Sequence, residues 1–338
     1  MSKILIIAPN WIGDAVMTEP LITRLKTLHP ESDIDVLATP WVASVMRAIP
    51  AVNQIICADF KHGLLQWNER KQLAKKLKKE GYAKAYVLPN SFKSALIPWM
   101  ANIPERHGYF GEMRWGLITH PLKNPSKAHR PPMSLHYLAL GDVHTKETPE
   151  PHLEVSRSLL ELTQTRLNKE AAYKNLYVLC PGAEYGPAKQ WPTEHYAKLA
   201  LELAEKNSQN LILILGSNKE SAIGDQIRNL SAYPNQVLNW CGKTSLDEAM
   251  ACISLATSVV SNDSGLMHIA AALGRPQVAL FGSSDPRHTP PLSKKAQIHW
   301  LHLECSPCFK RTCPLGHMKC LVDIPVKDVL NSLITSTE

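Results

Sequence analysis

Short apolar runs alternate with helical periodicity along most of the chain. Ile4–Ala8 is β-rich and stops at Pro9. Ala15–Leu28 then reads as a helix, with Val16, Leu21, Leu25 and Leu28 on one side. Ile34–Ala38 and Ala85–Leu88 read as strands, with a helix over Asn68–Glu80 between them. That alternation predicts a parallel sheet with helices on both faces. The pattern fades between Gly116 and Pro151, where six prolines fall from Pro121 to Pro151. A doubly wound unit is therefore expected to end near Thr119. A linker-like stretch with one helix, Ser134–Leu140, follows, and Arg157–Lys169 reads as a bridging helix.

The alternation then restarts. Strands are expected at Leu176–Leu179, Leu211–Leu215, Val237–Asn239, Val259–Val260 and Val278–Phe281. Helices are expected at Thr193–Lys206, Glu220–Leu230, Ser245–Ala256 and Gly265–Leu273. Leu211–Leu215 is unbroken aliphatic, as a central parallel strand requires. The fold class is thus α/β: two doubly wound, Rossmann-like domains, with the carboxyl ends of both sheets expected to face a central cleft. The expected division is 1–165, 166–320, and a C-terminal helix in 321–338 packing back on the first domain.

The 338 residues fit about two domains at roughly 150 residues each. With 44% hydrophobic and 20% charged residues, the composition is globular and excludes a disordered, collagen-like or coiled-coil chain. A net charge of +7 suits anionic partners such as nucleotides, phosphorylated lipids, an acidic membrane face or nucleic acid, without choosing among them. No segment approaches the roughly 18 apolar residues of a membrane span, and Ile4–Ala8 is too short for a signal segment. A cytoplasmic chain is the expectation. Eight cysteines are too few for a disulfide scaffold.

In open α/β sheets, ligands sit at the carboxyl ends of strands, so strand-to-helix loops carry the candidate chemistry. The first, Pro9–Ala15, has one glycine, Gly13. It lacks the G-x-G-x-x-G of dinucleotide binders, which argues against a nicotinamide or flavin enzyme. Asp14 there is either a helix cap or a general base. The loop Pro181–Pro192 contains Gly182, Gly186 and Lys189 before the Thr193 helix. Its freed amides and lysine form a candidate diphosphate cradle, a solvated irregular loop being the alternative. Ser261–His268 opens another helix with small polar residues, a candidate anion site. In it, Asp263 could be only a cap and His268 only a core histidine. Phe281–Pro286 is a further small-residue loop on the same edge. Three such loops suggest a nucleotide site on this domain.

Two charged patterns are discounted. Asp33-Ile34-Asp35 matches a metal-holding D-x-D, but it begins a strand at the amino edge and is expected to be solvent-exposed. The segment Arg70–Lys84 carries Arg70, Lys71, Lys75, Lys76, Lys78, Lys79 and Lys84, with Leu73 and Leu77 as one buried stripe. A solvated face is favoured there over membrane docking.

Cys305, Cys308, Cys313 and Cys320 are spaced C-x2-C, x4, C-x6-C. The first pair is a zinc half-site and His317 could replace one ligand. The alternative is four reduced thiols packing a compact excursion whose turns fall at Pro307, Pro314 and Gly316. Following the last strand of its domain, the segment is expected to be structural under either reading.

The Asn10–Asp14 loop, the Pro181–Pro192 loop and Asn262–His268 resemble the ADP-heptose:lipopolysaccharide heptosyltransferases, as does Glu304–His317. The resemblance spans nearly the whole chain. It implies a GT-B fold with the acceptor on the first domain and ADP-L-glycero-D-manno-heptose on the second. It also implies inverting transfer of heptose to the first heptose of the inner core, on a heptosyl-Kdo-lipid A acceptor at the inner face of the cytoplasmic membrane, with no cofactor. By the same resemblance Asp14 is the base, and Lys189 contacts the donor phosphates. Gly182, Ala183, Asp263, Ser264, Gly265 and His268 bind the donor. Glu220 is matched, more loosely, to the ribose, and Thr244, Ser245 and Leu246 are placed near adenine. Lys93, Arg106 and Arg114 are candidate acceptor cations from charge and position. No divalent ion is expected in catalysis.

Two other readings stand beside this one. One is an ADP-sugar transferase of the same fold with a different acceptor. The other is a non-catalytic protein with a metal-binding cysteine cluster and a basic nucleic-acid face. The lack of aromatic residues interleaved with basic ones argues against nucleic acid as a partner.

Overall fold

Ile4, Leu5, Ile6 and Ile7 are all buried, so the first strand lies inside a sheet covered on both faces. The computed structural model describes residues 2–60, 63–126, 131–142, 145 and 147–335. It divides into two units, Met1–Leu153 and Glu154–Glu338. Unit 1 contains β1 (Lys3–Ile7), β2 (Asp33–Ala38), β3 (Gln54–Cys57), β4 (Tyr82–Val87), β5 (Glu105–Tyr109) and β6 (His120–Leu122). They form one parallel sheet in the order β3-β2-β1-β4-β5-β6. The order reverses between β1 and β4, and a doubly wound sheet opens its ligand crevice at that switch point.

The helices of unit 1 are α1 (Ile12–Met17), α2 (Glu19–Leu28), α3 (Pro40–Arg47), α4 (Trp67–Lys79), α5 (Phe92–Met100) and α6 (Met133–Leu138). The single helix expected over Ala15–Leu28 is divided at Thr18. The Thr18 hydroxyl donates to the Ala15 carbonyl at 2.7 Å, and Pro20 in the next turn has no amide to continue the ladder. The unit also continues past Thr119, because β6 follows at once and α6 packs on α1 and α2.

Asp35 overturns the expectation of a solvent-exposed D-x-D. It is fully buried. Its carboxylate accepts from Tyr82 Oη at 2.6 Å, Gln54 Nε2 at 2.8 Å and Asn53 Nδ2 at 2.9 Å. It ties the starts of β2, β3 and β4 together at the amino edge.

Unit 2 begins with α7 (Arg157–Glu170), followed by β7 (Asn175–Cys180), α8 (Thr193–Lys206), β8 (Asn210–Ile214), α9 (Ser221–Leu230) and β9 (Val237–Asn239). Next come α10 (Leu246–Leu255), β10 (Ser258–Asn262), α11 (Gly265–Ala272), β11 (Gln277–Phe281), β12 (Ala296–Trp300), α12 (Lys319–Val322) and α13 (Val326–Thr335). The parallel order is β12-β11-β10-β7-β8-β9, with its switch point between β10 and β7. Helix α7 packs on α10, which moves the division from the expected 165/166 to 153/154. The C-terminal helix is packed within unit 2. Val329 and Leu333 of α13 are buried with Tyr196, Leu199, Leu203, Val278 and Leu280, all of unit 2.

Asp35→Ala would orphan three donors at the amino edge of the first sheet. We expect a loss of about 2–4 kcal/mol in urea unfolding. A loss under about 0.5 kcal/mol would show that the carboxylate has no such role.

Candidate active site

The carboxyl edge of the second sheet is organised by Asn262, the last residue of β10 and fully buried. Its Nδ2 donates to the Pro181 carbonyl at 2.8 Å. Its Oδ1 accepts from the Trp191 amide at 3.0 Å and Tyr196 Oη at 3.1 Å. One carboxamide thus pins both ends of the 181–192 loop. The Trp191 indole donates further to the Ile324 carbonyl at 3.2 Å. Within the loop, the turn Pro187–Lys189 presents Lys189.

Lys189 Nζ meets Asp263 Oδ2 at 2.5 Å, and Ser284 Oγ donates to the same oxygen at 2.5 Å. Asp263 is therefore not a helix cap. The cap position of α11 is Ser264, whose side chain makes no capping bond. The first-turn amides of α11 and the positive end of its dipole lie at this edge, beside the lysine. His268 is buried in α11. Burial pushes its imidazole down to about 4, with Asp263 opposing and Lys189 adding to the shift. It is neutral at physiological pH.

Glu220 stands between the ends of β7 and β8. Its carboxylate accepts from the Ser217 amide at 2.7 Å and the Ser217 hydroxyl at 2.5 Å. It lies so close over Gly182 that a Cβ there would meet Glu220 Cγ at 2.9 Å. Ala183 is buried beside it. Ser245 caps α10 in a reciprocal box with Glu248, so Thr244, Ser245 and Leu246 share this edge. Lys189, Asp263, Ser264, Gly265, His268, Gly182 and Glu220 all sit at the ends of β7, β8 and β10. Sequence reading missed the individual role of Ser284 and the clamp made by Asn262. Both lay inside segments already marked as chemically interesting.

In unit 1, a cavity of about 310 Å³ opens at the β1/β4 switch point, lined by Asn10, Thr39, Arg70, Ser91, Lys93 and Glu112 among others. Lys93 is among the residues that line this cavity. Arg70 belongs to the same wall and not to a solvated face. It is buried, 4.0 Å from the Phe60 ring centroid, and donates to the Leu65 and Lys93 carbonyls at 2.7 and 3.2 Å. Asp14 occupies the first turn of α1, where helix amides favour a carboxylate. The N-cap position belongs to Trp11, so Asp14 is not the cap.

Arg106 and Arg114 do not reach the pocket as free cations. Arg106 donates to the carbonyls of Ile103, Leu117 and Gly116. Arg114 is buried and donates to the Pro89 carbonyl at 2.8 Å, Asn90 Oδ1 at 3.1 Å and the Tyr109 carbonyl. Arg114 shapes the loop that carries Ser91, and both arginines are internal staples.

Cys305, Cys308, Cys313 and Cys320 line one small cavity of about 20 Å³ together with His317. All four are free thiols. Backbone amides of Met318, Leu315, Gly316 and His317 turn toward Cys313 and lower its pKa. Burial and the other three sulfurs raise that of Cys320. His317 Nδ1 accepts from the Lys319 amide at 3.0 Å. Among the described residues, no group of three or more His, Cys, Asp or Glu side chains is set to hold a metal ion.

The sequence profile of glycosyltransferase family 9 (heptosyltransferase) matches residues 70–319. The chain is 40% identical to lipopolysaccharide heptosyltransferase 2 of Escherichia coli K12, over 98% of this chain and 97% of that one. It is 43% identical to lipooligosaccharide heptosyltransferase 2 of Haemophilus ducreyi, over 88% of each. The solved structure of E. coli ADP-heptose LPS heptosyltransferase II superposes with a TM-score of 0.87 at 36% identity, covering 99% of this chain and 98% of that one.

His268 supplies a stability test of the site's electrostatics. Its pKa falls from 6.5 to about 4 on folding. The unfolded chain therefore binds the proton first, and stability is lost as pH falls from about 6.5 toward 4. We expect His268→Gln to remove roughly 2–3 kcal/mol of the loss seen between pH 7.5 and 4.5. Identical acid dependence in the two proteins, by urea unfolding, would contradict a neutral buried imidazole.

Proposed function

The chain belongs to glycosyltransferase family 9, the heptosyltransferases, and from that premise we propose that it moves L-glycero-D-manno-heptose from ADP-heptose to the first heptose of the lipopolysaccharide inner core, with inversion at the anomeric carbon. It is a GT-B-type glycosyltransferase of lipopolysaccharide core synthesis. The non-catalytic reading is thereby set aside. The observation that carries the donor reading is the lysine held beside the start of α11 at the switch point of the second sheet. A cation and a helix N-terminus on one edge suit a diphosphate.

In this reading the ADP diphosphate lies against Lys189 and the first turn of α11, formed by Ser264 and Gly265. Glu220 uses its remaining acceptor capacity for ribose hydroxyls, close to the Gly182 backbone. The loop at Thr244, Ser245 and Leu246 flanks the adenine. Asp263 fixes the Lys189 ammonium, and His268 stays neutral, able to donate a hydrogen bond without adding charge. The heptosyl-Kdo-lipid A acceptor is taken by unit 1, where Lys93 meets its anionic groups. Asp14 accepts the proton of the attacking hydroxyl. The new glycosidic bond forms as the anomeric carbon–phosphate oxygen bond breaks, and that electron pair leaves on ADP. One displacement inverts the centre, with no covalent intermediate on the protein. Lys189 and the helix dipole gain strength as negative charge grows on the departing diphosphate.

No helix among the described residues is long and apolar enough to cross a membrane. Peripheral association with the membrane that carries the acceptor is part of the proposal.

The direct test is turnover of ADP-heptose with a defined core acceptor carrying a single heptose. Asp14→Asn should keep ADP binding but lower turnover by roughly two to four decades. Near wild-type turnover would remove Asp14 from the chemistry. Lys189→Ala should weaken ADP binding by about 1–3 kcal/mol in calorimetry. Unchanged binding would place the phosphates elsewhere.

A further inference from the structure

The cysteine-rich excursion 305–320 packs directly on the loop that carries Lys189. The Ala188 amide donates to the Arg311 carbonyl at 3.0 Å, and Tyr185 Oη donates to the Phe309 carbonyl at 2.8 Å. The Phe309 amide in turn donates to the Ser283 carbonyl at 2.7 Å, next to Ser284. The approach leaves no room for a side chain at Gly186. Its φ is +149°, and a Cβ there would meet the Arg311 carbonyl oxygen at 2.5 Å. The excursion is a wall of the donor region.

That wall brings a second cation. The Arg311 guanidinium lies 5.2 Å from the Tyr185 ring centroid, and Lys189 Nζ lies 5.1 Å from the same centroid. Both cations flank one aromatic ring in cation–π contact, about 10 Å or less apart. Their charges are not equally available. Lys189 is paired with the buried Asp263. Glu184, the carboxylate of the same loop, is taken by Lys219 at 2.6 Å. Among the described residues no carboxylate is ion-paired with Arg311.

The charge count then decides. A sugar-linked nucleoside diphosphate carries two negative charges, and the free diphosphate released on transfer carries about one more. Lys189 with Asp263 contributes no net charge, and a helix N-terminus about half a unit. The donor region is short of positive charge unless another cation joins it. A guanidinium presents a planar fork that binds phosphate oxygens in pairs.

We propose that Arg311 is the second cation of the nucleoside-diphosphate site, reaching the diphosphate from the cysteine-rich wall while Lys189 holds it from the loop. This rests on the reading of unit 2 as the donor-binding unit. The Arg311 backbone makes the loop contact, so removing its side chain leaves the Ala188 hydrogen bond in place. The charge on the departing diphosphate rises during transfer, so Arg311 acts more strongly on the leaving group than on the bound donor.

The test is calorimetric titration of ADP and of adenosine into the full chain, its Arg311→Ala variant and its Arg311→Lys variant, with a thermal melt of each. Arg311→Ala should bind ADP roughly 10- to 100-fold more weakly. Its affinity for adenosine should stay within about twofold and its melting should be unchanged. Arg311→Lys should recover part of the loss, and kcat of Arg311→Ala should fall by more than its KM for the donor rises. ADP affinity within about twofold of wild type in Arg311→Ala overturns the proposal alone. An equal loss for adenosine also overturns it, because the effect is then on the loop and not on phosphate. Failure of the wild-type chain to bind ADP overturns the donor reading, and the proposal with it.

Discussion

The site on the second sheet depends on the carboxamide of Asn262. A twelve-residue loop without regular structure beyond one short turn would otherwise sample many conformations, and fixing each residue opposes folding by roughly 1–2 kcal/mol. Asn262 removes that freedom at both ends of the loop, through Pro181, Trp191 and Tyr196. Its amide orientation follows from its partners. The NH2 faces a carbonyl and the oxygen faces two donors, and the reverse placement would leave the Pro181 carbonyl and the Trp191 amide facing like groups. Each bond contributes about 1 kcal/mol net when made and more when one partner is lost. Because β10 and β7 are hydrogen-bonded neighbours, the clamp sits where the strand order reverses. Lys189 and Asp263 take their positions from it, and Ser284 joins them from the loop after β11.

Electrostatics then narrows what such an edge can bind. The ammonium of Lys189 is largely compensated by Asp263, and burial removes the charge of His268. A region with strong donors but little net charge holds its geometry without an anion. Preorganised donors of this kind favour a state in which negative charge has built up beside them, since they need no rearrangement at that moment.

Much of the architecture was legible in the pattern of apolar residues. Thr193–Lys206 and Val237–Asn239 have the bounds read from the sequence. Edge elements were not legible, for physical reasons. β3 is half exposed, and β6 contains Pro121 and is half exposed. Such strands need not alternate, because water satisfies what the sheet does not. α3 begins at a proline and α5 carries Pro98 within it. The loops at the carboxyl edges were legible as strand-to-helix connections because small residues and charges cluster where the apolar runs stop. The use of individual charges was not. Asp35, Arg70, Arg106 and Arg114 look like surface charges in sequence and are internal hydrogen-bonding hubs in the structure. Residue type gives a charge but not the carbonyls it will meet.

The C-terminal segment shows the same limit from the opposite side. Read as sequence, residues 305–335 are a cysteine cluster followed by a helix, and they look like an appendage to a finished sheet. In the fold they complete it. Leu321 is fully buried, and a Cβ at Gly282 would meet its side chain at 2.6 Å. The Ile324 carbonyl receives the Trp191 indole, and the Arg311 carbonyl receives the Ala188 amide. The loop bearing Lys189 is thus held by β10 on one side and by this late segment on the other. A loop fixed from two directions is far stiffer than one fixed from its ends alone, and sequence separation hides half of that support. The thiols of Cys305, Cys308, Cys313 and Cys320 surround the small cavity at the base of that wall. Packing there is transmitted to Lys189 through only a few hydrogen bonds, so the late segment supports the Lys189 loop as much as the strands do.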